Sequence, residues 1–256
     1  MKNIAEFQLI FSIDGDKIMS NAFSNIHSQI ILDYRSSKET KSELRRLGYT
    51  VIETKKINDL YAAVDGHTDM QLFKADNCLI VAQEAFDYYR NIFGNKVICG
   101  SKKLSDKYPY DILYNAACVG DLIICNKAYI AKEIIEFATQ TQKKLLNVKQ
   151  GYAKCSTAII GKNAVVTADK GIAQVCIDNN IDVLKIEPGY IELENMNYGF
   201  IGGCSGMLDE KTIAFNGELK NHPQHEEIYS FCKNHRVDVI ELKKGPLVDI
   251  GSIIMV

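Results

Sequence analysis

The chain has 256 residues, of which 46% are hydrophobic and 24% charged, with a formal net charge of −2. Those values set disorder aside and leave room for a sizeable core. The balanced charge excludes a basic field that would gather nucleic acid or anionic lipid, and no run reaches the ~20 apolar residues of a bilayer span.

In the opening segment MKNIAEFQLIFSIDGDK the acids Glu6, Asp14 and Asp16 interrupt the apolar run before any small-residue cleavage site. It does not read as a signal peptide, and the expectation is a cytoplasmic protein whose first 26 or so residues are a leader. From there one pattern recurs: an apolar string, a helical segment, a second apolar string. It reads QIILDY, SSKETKSELRRLG, YTVIET; then NCLIVA, QEAFDYYRNIFG, KVICGS; then DLIIC, NKAYIAKEIIEFATQTQ, KKLLNVK. The fourth round is NAVVTA, DKGIAQVCIDNN, IDVLKI, and the fifth KTIAFN, HPQHEEIYSFCKNH, VDVIEL. The first strings are short β-rich runs of the kind buried strands show. The middle segments carry apolar residues at helical spacing, such as Ile130, Ile134 and Phe137, and Gly48, Gly94 and Asn180 suit left-handed helix ends. Each such βαβ step favours a parallel pair with a right-handed crossover.

Four of the five rounds are preceded by a strand-like string rich in small residues: GHTDMQLF, YNAACVG, GYAKCSTAII and GFIGGCSGML. The first round lacks one, but the chain ends in PLVDIGSIIMV, which has the same character. The simplest account is circular, with the C-terminal strand completing the first unit and removing a free sheet edge. The repeats step by about 42–49 residues between Ile31, Ile80, Ile123, Val165 and Ile213, a supersecondary period. The expected architecture is a single α/β domain over 1–256 of five ββαβ units around a pseudo-fivefold axis. The units cover roughly 27–58 plus 247–256, 66–103, 111–149, 151–190 and 198–244. An open doubly wound sheet explains the βαβ rhythm equally well but leaves the displaced fifth string unexplained.

The eight cysteines are dispersed, without a C-x-x-C pair, and most stand in apolar strings. At least six of the eight read as reduced core thiols, with no structural metal. His222 and His225 lack a third ligand partner and read as the start of a helix. No P-loop or dinucleotide glycine fingerprint occurs, and no cofactor is expected.

Five such units resemble the pentein fold of guanidino-group-modifying enzymes. The segments GYAKCSTAIIGKNAVVTADKGIA, YGFIGGCSGML and PLVDIGSII resemble an uncharacterised bacterial family of that fold. The resemblance implies an α/β propeller whose small-residue strings line a central channel that takes a small-molecule ligand. It also implies a cysteine thiolate attacking a guanidinium carbon, a histidine acid/base, and carboxylates that hold the planar cation.

Carried onto this chain, residue by residue, the candidates are as follows. His67 and Asp69 share one face if their string is a strand, with a turn or cap after Gly66 as the alternative. Cys155 holds the place in its unit that Asp69 holds in its own, and is the preferred thiol; Lys154, beside it, would face the other way on a strand. Cys204, among three glycines, is the second thiol. Asn115, Lys154, Asp249 and Ser252 are the candidate substrate-binding groups. The family's nucleophilic cysteine on the C-terminal strand is missing from VDIGSIIMV, where Ser252 is the nearest nucleophile, so arginine deimination does not carry over. Two functions stay open: a cysteine-dependent enzyme acting on a small cationic or amide-bearing metabolite, and a non-catalytic binding ring.

Overall fold

A computed structural model describes residues 28–256; the leader expected ahead of them lies outside the described residues. The first unit supplies β1 (Gln29–Leu32), α1 (Lys38–Arg46) and β2 (Thr50–Glu53). In the second, one helical turn, α2 (Thr68–Gln71), leads into β3 (Leu72–Ala75), β4 (Cys78–Val81), α3 (Phe86–Phe93) and β5 (Val97–Cys99). The third has β6 (Ala117–Val119), β7 (Leu122–Cys125), α4 (Lys132–Gln140) and β8 (Lys144–Asn147). The fourth has β9 (Thr157–Ile160), β10 (Ala164–Thr167), α5 (Lys170–Ile177) and β11 (Asp182–Lys185). A short β12 (Ile191–Glu192) precedes the fifth, β13 (Ser205–Met207), β14 (Thr212–Phe215), α6 (His225–Asn234) and β15 (Asp238–Glu241). The chain finishes with β16 (Leu247–Val248), which pairs with β12, and β17 (Ile254–Met255).

Every unit makes the same three-stranded sheet. Its middle strand pairs antiparallel with an inner strand and parallel with the strand that follows the helix, in the orders β3-β4-β5, β6-β7-β8, β9-β10-β11 and β13-β14-β15. In the first unit β17 fills the inner place, antiparallel to β1 with Ile30 opposite Met255. The displaced fifth string therefore completes the first unit.

The continuous apolarity of the middle strands follows from what lies on their two faces. Successive side chains of a strand point to opposite sides. Ile123 packs with Ile80 toward the second unit, and Ile124 packs with Val165 toward the fourth. Val166 meets Ile213 and Phe215 of the fifth unit, and Ala214 turns back to Ile30, Leu32 and Leu44 of the first. Each sheet is thus a filling between two neighbours, so neither face can be polar. The helices obey local rules. Ser37 accepts a hydrogen bond from the Thr40 N–H and Asp169 one from Ile172, which caps α1 and α5, and Gly48, Gly94 and Asn180 take positive φ where those helical segments end.

One expectation is corrected. The small-residue strings are strands only in their second halves. Their first halves are turns, at α2, 153–156 and 201–204, before the chain extends into β3, β9 and β13. The glycines and short polar side chains that suggested a packed strand serve turn formation and close approach instead.

Gly206 shows how close that approach is, since a Cβ there would strike the Ile253 carbonyl next to β17. Gly206→Ala is expected to lower the unfolding free energy by about 3 kcal/mol or more, as overpacking does. Gly48→Ala, with φ +95° but nothing near its Cβ, costs only about 1 kcal/mol. Chemical denaturation of the two variants checks the order.

Candidate functional site

The five turns that precede the inner strands converge, and their hydrogen bonds close on themselves. The Asp69 N–H donates to the Gly251 carbonyl (3.0 Å), Ser252 N–H to Gly203 O (2.8 Å), and Gly203 N–H to Cys155 O (2.9 Å). Cys155 N–H donates to Asn115 Oδ1 (3.2 Å), and Asn115 Nδ2 returns to the Asp69 carbonyl (3.3 Å). Four of these links start from backbone N–H groups; the Asn115 amide supplies the fifth and also accepts from the Lys154 N–H at 2.7 Å.

This circuit places one set of reactive side chains. Asp69, with 0% of its surface exposed, accepts on Oδ2 from the Cys155 thiol at 3.1 Å and from the Ser252 hydroxyl at 2.5 Å. Its Oδ1 is buried without a partner. Asn115 Nδ2 also lies 3.1 Å from Cys155 Sγ. Lys154 Nζ donates to Ser252 Oγ at 2.9 Å and toward the Gly202 carbonyl at 3.4 Å. Ser252 sits at φ +73°, an uncommon conformation for a residue with a side chain, which its three polar neighbours hold in place.

On the other side, Asp249 accepts from the N–H groups of Phe200 and Gly251, both at 2.9 Å. His67 Nδ1 stands 3.8 Å from Asp249 Oδ1 and makes no hydrogen bond. Gly251 and Gly203 leave room for this pair: a Cβ on the first would run into His67, and on the second into the Asp249 carboxylate.

Two placements correct the strand reading. His67 and Asp69 are not a same-face pair, because residues 68–71 form a helical turn; His67 faces Asp249 instead. Lys154 and Cys155 do not face opposite ways, because a turn rather than a strand carries them, and both reach the Ser252–Asp69 group. Cys204 is not brought in; its thiol donates to the Ile201 carbonyl of its own turn.

The electrostatics follow from burial. It pushes the Cys155 thiol well above its ordinary value, with Asp69 and Asp249 adding to the rise, and raises Cys204 likewise. It lowers Lys154, against the pull of Asp69. Burial also carries Asp249 up to about 7 and His67 down to about 4. At neutral pH the imidazole is uncharged and Asp249 is near its midpoint.

No sequence motif marks the groups around this cluster. Tyr152 donates to Asp111 at 2.6 Å and lies 3.4 Å from the Tyr61 hydroxyl. Asp111 keeps Oδ1 buried and unpartnered, and burial raises its pKa. Burial is likewise the main cause of the raised Tyr61 pKa, and Asp111, Cys155 and Asp249 contribute, which sets this ring beside the cluster. Tyr152 also contacts the rings of Tyr108 and Phe200. Arg35 ties Asp33 to Asp65 (2.6 and 3.3 Å) and donates to the carbonyls of Ala62 and Ala63, anchoring the loop that enters Gly66 and His67. Among the described residues no group of His, Cys, Asp and Glu is placed to hold a metal, and no helix is long and apolar enough to cross a membrane.

The two displaced groups act oppositely on stability. Asp249 has a folded pKa above its unfolded value, so its contribution is complete below pH ~4 and fades as pH rises through 7. His67 has a depressed one, so its contribution is present above pH ~6.5 and fades as pH falls through 4. Between pH 4.5 and 6.5 the two offset each other. Asp249→Asn should leave stability that rises with pH across this window, and His67→Gln stability that falls, each by about 2–4 kcal/mol. Urea titrations at several pH values read the slopes.

The architecture matches solved structures. A cysteine-to-serine variant of DDAH from Pseudomonas aeruginosa, complexed with citrulline, superposes with a TM-score of 0.53 at 11% identity, over 84% of this chain and 91% of that one. The inosamine-phosphate amidinotransferase StrB1 of Streptomyces griseus gives 0.52 at 10% identity, over 85% and 88%. At such identities the likeness is one of fold, and the fold is pentein-like. No curated protein matches by sequence. The sequence model of one family spans residues 31–254, and the chain therefore belongs to that family, described as a family of unknown function (DUF6873).

Proposed function

We propose that the five units form a single-domain closed pentein ring and that the protein is an enzyme of the guanidino-group-modifying kind. It would bring a small cationic or amide-bearing metabolite to Asp69 and open a C–N bond through Cys155. The observation that carries this reading is the convergence on one buried carboxylate of a thiol and a hydroxyl, with an ammonium bonded to that hydroxyl. Burying a carboxylate and an ammonium costs several kcal/mol each before pairing, and perturbed, crowded titratable groups cluster where chemistry is done. The fold neighbours, one named for amidine transfer and one complexed with citrulline, support the general kind.

The roles follow from position. The free Asp69 Oδ1 accepts an N–H of the bound cation, and Tyr61, Tyr152 and Asp111, beside the cluster, supply rings and a carboxylate that suit positive charge. The resting thiol is protonated. A cation set against it favours the thiolate, the proton passes to Asp69 Oδ2, and Sγ bonds to the sp² carbon. The departing amine takes that proton as the C–N bond breaks. Water or an acceptor amine then adds to the carbon, passing a proton to Asp69 Oδ2, and the C–S bond breaks with its electron pair on sulfur, which takes the proton back. Asn115 Nδ2 steadies the sulfur. Lys154 and Ser252 hold Asp69 in place through the shared hydroxyl, and Asp249 with the uncharged His67 walls the other side. Eight free cysteines suit a reducing, cytoplasmic setting.

A binding ring without catalysis is favoured by one observation: Cys155 is only 3% exposed, and its thiol is raised rather than lowered. A haloacetamidine, whose cation mimics a guanidinium and whose carbon is electrophilic, separates the two readings. The enzyme reading expects one stoichiometric adduct, mapped to Cys155, formed at least tenfold faster than with neutral iodoacetamide and slowed at least tenfold in Asp69→Asn. A native protein whose Cys155 stays unmodified overturns it in favour of the binding ring.

A further inference from the structure

Away from the Asp69 cluster, a cavity of about 110 Å³ opens between the fourth and fifth units. Its walls are mostly apolar, from Ala168, Ile186, Ile191, Phe200 and Ile201, and it reaches the surface beside Glu187 and Tyr198. Ser156 and residues 199–201 line it, and neither Cys155 nor Asp249 is among its lining residues.

Three features of its lining are unlike ordinary packing voids. Ser156 is buried, and its hydroxyl has no partner, although a buried hydroxyl in a finished core is almost always satisfied. Asp169, the cap of α5, uses Oδ1 on the Ile172 N–H, whereas Oδ2 receives only Gln150 Nε2 at a long 3.3 Å. That oxygen has acceptor capacity to spare. Lastly, the charged side chains in the lining, Asp169 and Glu187, are both acids, and no Lys or Arg is among them. A hydroxyl without a partner, a carboxylate oxygen with acceptor capacity to spare and a second acid, in a largely apolar pocket, call for a donor with positive charge and a short hydrocarbon body. The faces of Phe200 and Tyr198 suit such a cation as well. The volume sets the size: an apolar cavity of about 150 Å³ takes benzene, so this one takes a chain of roughly three to five carbons.

We propose that this cavity is a second ligand site, separate from the Asp69 cluster, that binds a short primary alkylammonium. The ammonium would lie between Ser156 Oγ and Asp169 Oδ2, and the hydrocarbon against Ile186, Ile191 and Ile201. No covalent step is involved.

The probe is n-butylammonium chloride, with 1-butanol and butyrate as neutral and anionic isosteres, followed by amide chemical-shift titration of the full chain. Butylammonium should perturb residues lining the cavity in a saturable way, at least tenfold more tightly than butanol, and butyrate should not bind. Ser156→Ala should weaken butylammonium at least threefold and Asp169→Asn at least tenfold; asparagine still caps a helix, so α5 keeps its start. Ala168→Met, which fills the space, should abolish binding. Equal affinity for butanol, an unaltered affinity in Asp169→Asn, or shifts confined to the surroundings of Asp69 would each overturn the proposal. Cys155→Ala should leave the titration unchanged, so the fate of the proposed chemistry and of this site are read independently.

Discussion

The circuit of hydrogen bonds through Asp69, Gly251–Ser252, Gly203, Cys155 and Asn115 is the constraint on which the rest depends. Each unit offers a sheet with two apolar faces, and hydrophobic contact is non-directional. Contact alone would let neighbouring sheets slide. The circuit fixes the turns against one another at hydrogen-bond precision, and with them the inner strands that they launch. Asn115 is the least replaceable member because its amide substitutes for a backbone group. Its oxygen takes two N–H donors, from Lys154 and Cys155, and its nitrogen gives to the Asp69 carbonyl. Aspartate would keep the acceptor but lose the donor, and would add a charge beside Asp69.

What the circuit encloses is costly. A buried carboxylate and a partly buried ammonium have no direct contact and are connected through one hydroxyl. Serine fits because a hydroxyl can accept from Lys154 and donate to Asp69 at the same time. Alanine at this place would leave both ions short of a partner, the expensive way to disturb a buried network. The apolar fillings between units carry that cost. Asp69 Oδ1 still lacks a partner, which is consistent with a group held ready for a ligand rather than for the fold.

The architecture was legible because its signal is redundant. Five rounds of apolar string, helix and apolar string repeat at a near-constant step, and buried middle strands leave an unmistakable apolar signature. Even the displaced inner strand was recoverable, since PLVDIGSIIMV had no other place to go. Several residues that converge on Asp69 were legible, but their local geometry was not. GHTDMQLF and GYAKCSTAII begin with short polar and glycine residues that suit a tight turn as well as a crowded strand. Period-two reasoning then misdirected His67 and Lys154. The position of Cys155 relative to Asp69 was found by aligning units, which depends on the repeat and survives an error in local conformation. Arg35, Asp111 and Tyr152 left no signal, because Asp65 for Arg35 and the Tyr152–Asp111 pair are contacts distant in sequence and each string reads as an ordinary loop.

The pairing of Ile30 with Met255 spans about 225 positions of chain. Its inner partner missing, β1 has one edge open until β17 arrives, and Asp249 and Ser252 travel with that same segment. Closing so long a loop adds little to the equilibrium cost, which grows only as the logarithm of length, but contacts this remote are formed late and slowly. The pairing of β1 with β17 and the contacts of Asp249 and Ser252 with the groups around Asp69 therefore depend on one and the same segment. Asp69, Asn115 and Cys155 come from three separate stretches of chain, and the hydroxyl that links Asp69 to Lys154 is supplied by the clasp itself.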